Sequence, residues 1–130
     1  MDICKILKEF KNVAVVGISR NPSKTSRYIA DYLVDNGFNV AGVNPAAPFE
    51  CGGIKVYKSL LEVPFKIEII DVFRRSKDIE ELIPDVLKVN PKVLWLQLGI
   101  RNDMAVKPAV DAGIITIQDK CIKIENEICR

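Results

Sequence analysis

Histidine is absent from the 130 residues. That removes His-dependent catalytic triads, the commonest metal ligand and any phosphohistidine intermediate. Long apolar runs are missing as well: nothing approaches the about 18 residues a membrane helix needs, and MDICKILKEFKN at the start is a short amphipathic stretch without an export signal's apolar centre. No membrane association is expected, and a cytoplasmic location is. Runs of one charge are lacking too. The formal charge is only +2, with 19 basic and 17 acidic residues interleaved, so there is no arm for nucleic acid. Cys4, Cys51, Cys121 and Cys129 form no C-x-x-C pair, which spells neither a zinc site nor a thioredoxin-like site and leaves reduced thiols as the expectation. No metal site and no catalytic residue are assigned.

What is present suits one α/β unit. The length allows a single domain over residues 1–130, and 48% hydrophobic with 28% charged residues is an ordinary globular balance. After a helical stretch carrying Ile6, Leu7 and Phe10, VAVVG reads as a strand buried on both faces. Residues 26–36 place Ile29, Ala30 and Leu33 on one helical face and stop at Gly37. FNVAGVN is a second strand. PAAPFECGG reads as a connection, KVYKSLLEVP as a short strand and a turn, and KIEIIDVF as the next strand. Ile79, Leu82, Ile83, Val86 and Leu87 mark an amphipathic helix with a bend expected at Pro84. KVLWLQLG, NDMAVKPAVDAG and IITIQDK then give strand, helix and strand ahead of a short polar tail. The alternation predicts a single Rossmann-like doubly wound domain with a mostly parallel sheet of five to six strands.

In such sheets ligands bind beyond the carboxyl ends of the strands. Gly17, Ile18 and Ser19 follow the first strand, and the next helix aims its free N–H groups at that loop, which makes an anion site. Ser19, Ser23, Thr25 and Ser26 could donate to phosphate oxygens, with Arg20, Lys24 and Arg27 adding charge. The same residues serve equally well as a turn and a helix cap. On the binding reading, a side chain at Gly17 blocks phosphate and leaves the fold intact. Only the first glycine of G-x-G-x-x-G is present, and the second strand ends in Asn44-Pro45 where an NAD site usually has an acid. A neutral Asn suits a phosphorylated ribose. In DVFRR, Phe73 could pack on adenine or pantetheine and Arg74 could meet phosphate. In WLQLG, Trp95 is expected in the core, while Gln97 and Gly99 sit where backbone approach is useful. Cys121 flanks the same edge or is simply buried.

Taken in order, VAVVGIS, S-K-T-S, VNP, DVFRR, WLQLG and DKC resemble the stand-alone bacterial and archaeal CoA-binding proteins, small relatives of the CoA-binding domain of the succinyl-CoA synthetase α subunit. The resemblance spans residues 12–125. It implies coenzyme A or an acyl-CoA across the strand ends. Its diphosphate would lie near Gly17, Ser19, Lys24 and Ser26, and its adenosine near Asn44 and Pro45. Val72, Phe73, Arg74 and Gly99 would line the rest, with Ile18 and Thr25 completing the set. One departure is plain: the synthetase has a lysine soon after the second strand, and this chain has Ala46 and Ala47. Recognition of the 3′-phosphate then falls to Arg20, Lys24 or Arg74. The synthetases also need a phosphorylated histidine and an ATP module, so ligase activity by this domain alone is excluded. The expected role is a non-catalytic carrier, sensor or partner module of some enzyme, with homodimers an option on base rates. The competing reading is an NAD(P)-binding redox module, and a third is a small metal-free hydrolase or transferase using Asp71 or Asp119.

Overall fold

Residues 2–130 are described by a computed structural model. The first helix, α1 (Ile3–Glu9), starts where the Asp2 carboxylate accepts from the Lys5 N–H, and it buries Ile6 and Leu7. The uninterrupted β-branched run that follows becomes β1 (Asn12–Val16), in which Val13 to Val16 are all buried. Next, α2 (Thr25–Asp35) turns Ile29, Ala30 and Leu33 inward. It ends as the sequence predicts: Gly37 takes φ +89°, its N–H reaches the Val34 carbonyl, and the Phe38 N–H reaches that of Leu33. This Schellman arrangement satisfies the last helical carbonyls.

The remaining elements are β2 (Asn39–Val43), β3 (Phe49–Cys51), β4 (Ile54–Tyr57), β5 (Ile69–Val72), α3 (Ile79–Val89), β6 (Val93–Leu96), α4 (Asp103–Asp111), β7 (Ile115–Ile117) and α5 (Ile122–Ile128). The strands form one sheet in the order β3-β4-β2-β1-β5-β6-β7, parallel except for β3. The Rossmann-like, mostly parallel sheet is therefore as expected, with seven strands in place of five to six. The extra one is β3, hidden in the Gly/Pro-rich PAAPFECGG. Gly52 and Gly53, both at positive φ, turn the chain back so that Phe49 pairs with Val56 and Cys51 with Ile54. The expected polar tail is also structured, because Ile122 is fully buried and anchors α5. Pro84 lies inside α3, which continues past it to Val89.

Two apolar layers cover the sheet. Alternation along β1 sends Val13 and Val15 to the layer packed under α1, α2 and α5, and Ala14 and Val16 to the layer under α3 and α4. No helix among the described residues is long and apolar enough to cross a membrane.

The reduced-thiol expectation fails for one pair. Cys4 and Cys129 form a disulfide across 125 residues, with Cα atoms 5.4 Å apart. The sequence spacing conceals it because only the return of α5 along α1 brings the two ends together. Cys51 and Cys121 are free.

Candidate functional site

Strand order makes the crevice. β1 lies between β2 and β5; α2 leaves β1 toward one face and α3 leaves β5 toward the other. The winding therefore reverses between β1 and β5, and doubly wound sheets bind ligands outside the carboxyl ends of the strands at such a point.

Three predicted segments meet there. The Gly17 N–H donates to the Val43 carbonyl at 2.9 Å and the Phe73 N–H to the Val16 carbonyl at 2.8 Å. The Asn44 side-chain amide donates to the Ile18 carbonyl at 2.9 Å, while its oxygen accepts from the Ala46 N–H at 2.8 Å. Asn44 is thus a clasp between the loops after β1 and β2, with its hydrogen-bonding groups already engaged. The neighbouring Pro45 is exposed at the rim.

Gly17 sits at φ +88°, and a Cβ there would run into the Phe73 carbonyl oxygen. The expectation that Gly17→Val spares the fold is therefore corrected. The glycine is needed because the β5 loop crosses directly over it, so the substitution strains the backbone whether or not a phosphate binds.

Around the loop, hydroxyls and carboxamides serve each other first. Ser26 is buried and its hydroxyl accepts from the Ser19 N–H; the Ser19 hydroxyl accepts from Asn21, and the Asn21 side chain from Ser23. The Arg27 guanidinium is buried as well, bonded to the Arg20 carbonyl at 2.8 Å and to Asp31 at 3.1 Å. What remains open is the start of α2. Lys24 at the N-cap contributes no side-chain bond, and among the described residues no protein group accepts from the amides of Thr25, Ser26 and Arg27. Three unpaired N–H groups at the positive end of an 11-residue helix form an anion-binding feature.

Lys24 is the N-cap residue itself, and Arg74 follows Phe73, whose carbonyl lies against Gly17. Lys24 is exposed and Arg74 half-buried, and neither enters an ion pair among the described residues, whereas Arg75 is held by Asp78 at 2.9 Å and Arg101 by Asp103 at 3.2 Å. Arg20 stacks over the Phe49 ring, 4.1 Å from its centroid. Phe73 is half-buried against the α2 layer. The side chains of Ile18 and Val72 are wholly inside, so these two offer backbone only.

The far end of the edge is knitted shut. The Gly99 N–H donates to the Asp119 carboxylate at 2.6 Å, the Asn102 amide to the Ser76 carbonyl at 2.8 Å, and the Asn102 N–H to Gln118 at 2.8 Å. Gln97 is buried and accepts from the Ile122 N–H; the Trp95 ring is fully buried and donates to the Lys120 carbonyl. Cys121 stands beside this junction, half-buried.

Asp71 has no exposed surface, and neither carboxyl oxygen has a hydrogen-bond partner. Burial pushes its pKa well above the usual carboxylate range. A group so enclosed cannot touch a ligand in the crevice, which removes it from the hydrolase reading. Among the described residues, no group of three or more potential ligand side chains is placed to hold a metal ion.

Comparison with known proteins bears on this geometry. Residues 11–127 match the sequence profile of a family described as "CoA binding domain". The uncharacterized protein YneT of Bacillus subtilis is 33% identical over 129 residues, covering 99% of this chain and 95% of that one. A Thermus thermophilus structure superposes with a TM-score of 0.95 at 32% identity over the full length of both chains. A dinucleotide-forming acetyl-coenzyme A synthetase of Candidatus Korarchaeum cryptofilum matches at 25% identity and a TM-score of 0.69, over 82% of this chain but only 25% of the synthetase.

Proposed function

The chain belongs to the CoA binding domain family, and from that premise we propose that it holds coenzyme A, free or acylated, across the crevice between the loops after β1 and β5. It does so as a single domain without catalysis of its own, serving as carrier, sensor or partner module of an enzyme. The observation that carries the reading is the uncapped first turn of α2, with Lys24 at its N-cap and Arg74 on the loop after β5, neither in an ion pair among the described residues. The diphosphate would take the amides of Thr25 and Ser26, the Ser19 region and those two side chains. Phe73, with the backbone of Val72 and Ile18, would line the apolar path toward Gly99. Asn44 would act by fixing the rim on which Pro45 meets the adenosine. The absence of a carboxylate at the end of β2 weighs against NAD as the ligand.

The test is calorimetric titration with CoA, dephospho-CoA, NAD and NADPH. Tight binding of CoA alone or with dephospho-CoA is expected. Lys24→Glu with Arg74→Glu is expected to abolish it while leaving the melting temperature unchanged. NADPH binding without a response to CoA would overturn the proposal.

A further inference from the structure

The Ala46-Ala47 departure leaves the 3′-phosphate without the lysine that the succinyl-CoA synthetase resemblance implies, and the β3-β4 hairpin supplies another. A cavity of about 590 Å³ opens on the hairpin, lined among others by Phe49, Tyr57, Lys55, Lys58, Glu50 and Glu62. It adjoins the crevice: the Asn44 N–H donates to the Tyr57 carbonyl at 2.9 Å, so Lys58 leaves β4 directly beside Asn44-Pro45. Ala47 is buried and cannot present a group to solvent.

The charges in this cavity are not equivalent. Glu50 and Lys55 are opposite each other in the β3-β4 register, and Lys55 lies near the start of β4, away from its carboxyl end. Glu62 belongs to the short turn over Leu60–Glu62. Lys58 lies one residue beyond the last residue of β4, has no cross-strand partner, is exposed, and forms no ion pair among the described residues. Arg20 does not line the cavity itself but stacks on Phe49, which does.

Topology chooses between these cations and Arg74. From β1, β4 is two strands away on one side, about 10 Å, and β5 is adjacent on the other. A diphosphate over the start of α2 with its nucleoside running toward Asn44-Pro45 therefore delivers a ribose phosphate to the β4 end and away from Arg74. We propose, on the strength of the coenzyme A reading above, that Lys58 is a specificity-determining residue. It binds the 3′-phosphate of the adenosine end, with the Tyr57 ring bordering the base and Arg20 as the second cation.

The experiment compares CoA with dephospho-CoA on the full chain, for the parent protein and for Lys58→Ala and Lys58→Arg. The parent is expected to prefer CoA. Lys58→Ala is expected to lose about tenfold in CoA affinity with dephospho-CoA unchanged, and Lys58→Arg to restore most of the preference. Equal losses for both ligands, or no loss, overturn the assignment to Lys58 while leaving coenzyme A binding intact. A parent protein that binds neither ligand overturns the underlying reading and this inference with it. Lys58 is exposed, so melting temperatures are expected to match and to exclude unfolding as the cause.

Discussion

The two faces of the sheet are built from different materials. Under α3 and α4 the buried side chains are Ala, Val, Leu and Ile throughout. Under α1, α2 and α5 lie all four of the buried polar or charged residues among those described: Ser26 and Arg27 on α2, Gln97 bonded to the start of α5, and Asp71 on the central strand beside Val15 and Trp95. The disulfide joins α1 to the residue just after α5, on that same face. One face is a plain apolar layer. The other positions the loop after β1 and the start of α5, and its helices need bonds as well as burial to stay in register.

The most direct way to break the comparison is to cut the covalent tie. Closing a loop across 125 residues restricts the unfolded chain, and the chain-entropy estimate is about 5 kcal/mol. Cys129→Ser is expected to lower the unfolding free energy by an amount approaching that, seen as a lower denaturant midpoint, and reductant is expected to reproduce the loss in the parent but change nothing in the variant. An unaltered midpoint would mean that α5 is held by packing alone.

The contrast sharpens at two adjacent residues of β5. Ile70 faces the aliphatic layer and Asp71 the other; both have no exposed surface. Ile70→Ala is expected to cost about 2 to 5 kcal/mol through lost burial and the cavity left behind, equally at every pH. Asp71→Asn is expected to stabilise. Because burial raises the folded-state pKa, the native protein keeps a proton that the unfolded chain releases above about pH 4. Stability therefore falls as pH rises from there to the folded pKa, and below that window the carboxyl contributes nothing. The variant is expected to remove this decline and to be the more stable of the two at neutral pH. A pH–stability profile parallel to the parent's would show that Asp71 finds a partner after all.

These faces were unequally legible in the sequence. The central strands, the inward faces of α2 and α3 and the stop at Gly37 follow from periodicity and turn chemistry, which act over a few residues. The family likewise follows from short ordered motifs. What escaped depends on the returning chain. Cys4 and Cys129 carry no local sign of each other. At Gly17 the sequence leaves a tight turn and a ligand approach equally open, and only the position of the Phe73 carbonyl shows that a side chain there would disturb the fold. Phe49 to Cys51 are too few to announce a strand without β4 beside them. Lys58 is unremarkable until the bond between Asn44 and Tyr57 brings the end of β4 to the rim.

Asn44 offers the finest cut, because two accounts of it predict different losses. As a ligand contact it would be read from the sequence as a neutral partner for the ribose, and replacing it would cost affinity without touching the fold. In the structure its amide and its oxygen are both engaged, with Ile18 and Ala46, so its effect on a ligand passes through the loops it joins. Asn44→Ala is expected to lower stability by about 1 kcal/mol, the net worth of a typical hydrogen bond. It is also expected to weaken CoA and dephospho-CoA by the same factor, since loosening the rim does not distinguish a ribose phosphate from a hydroxyl. A selective loss of CoA with an unchanged melting temperature would return Asn44 to the ligand and move the 3′-phosphate away from Lys58.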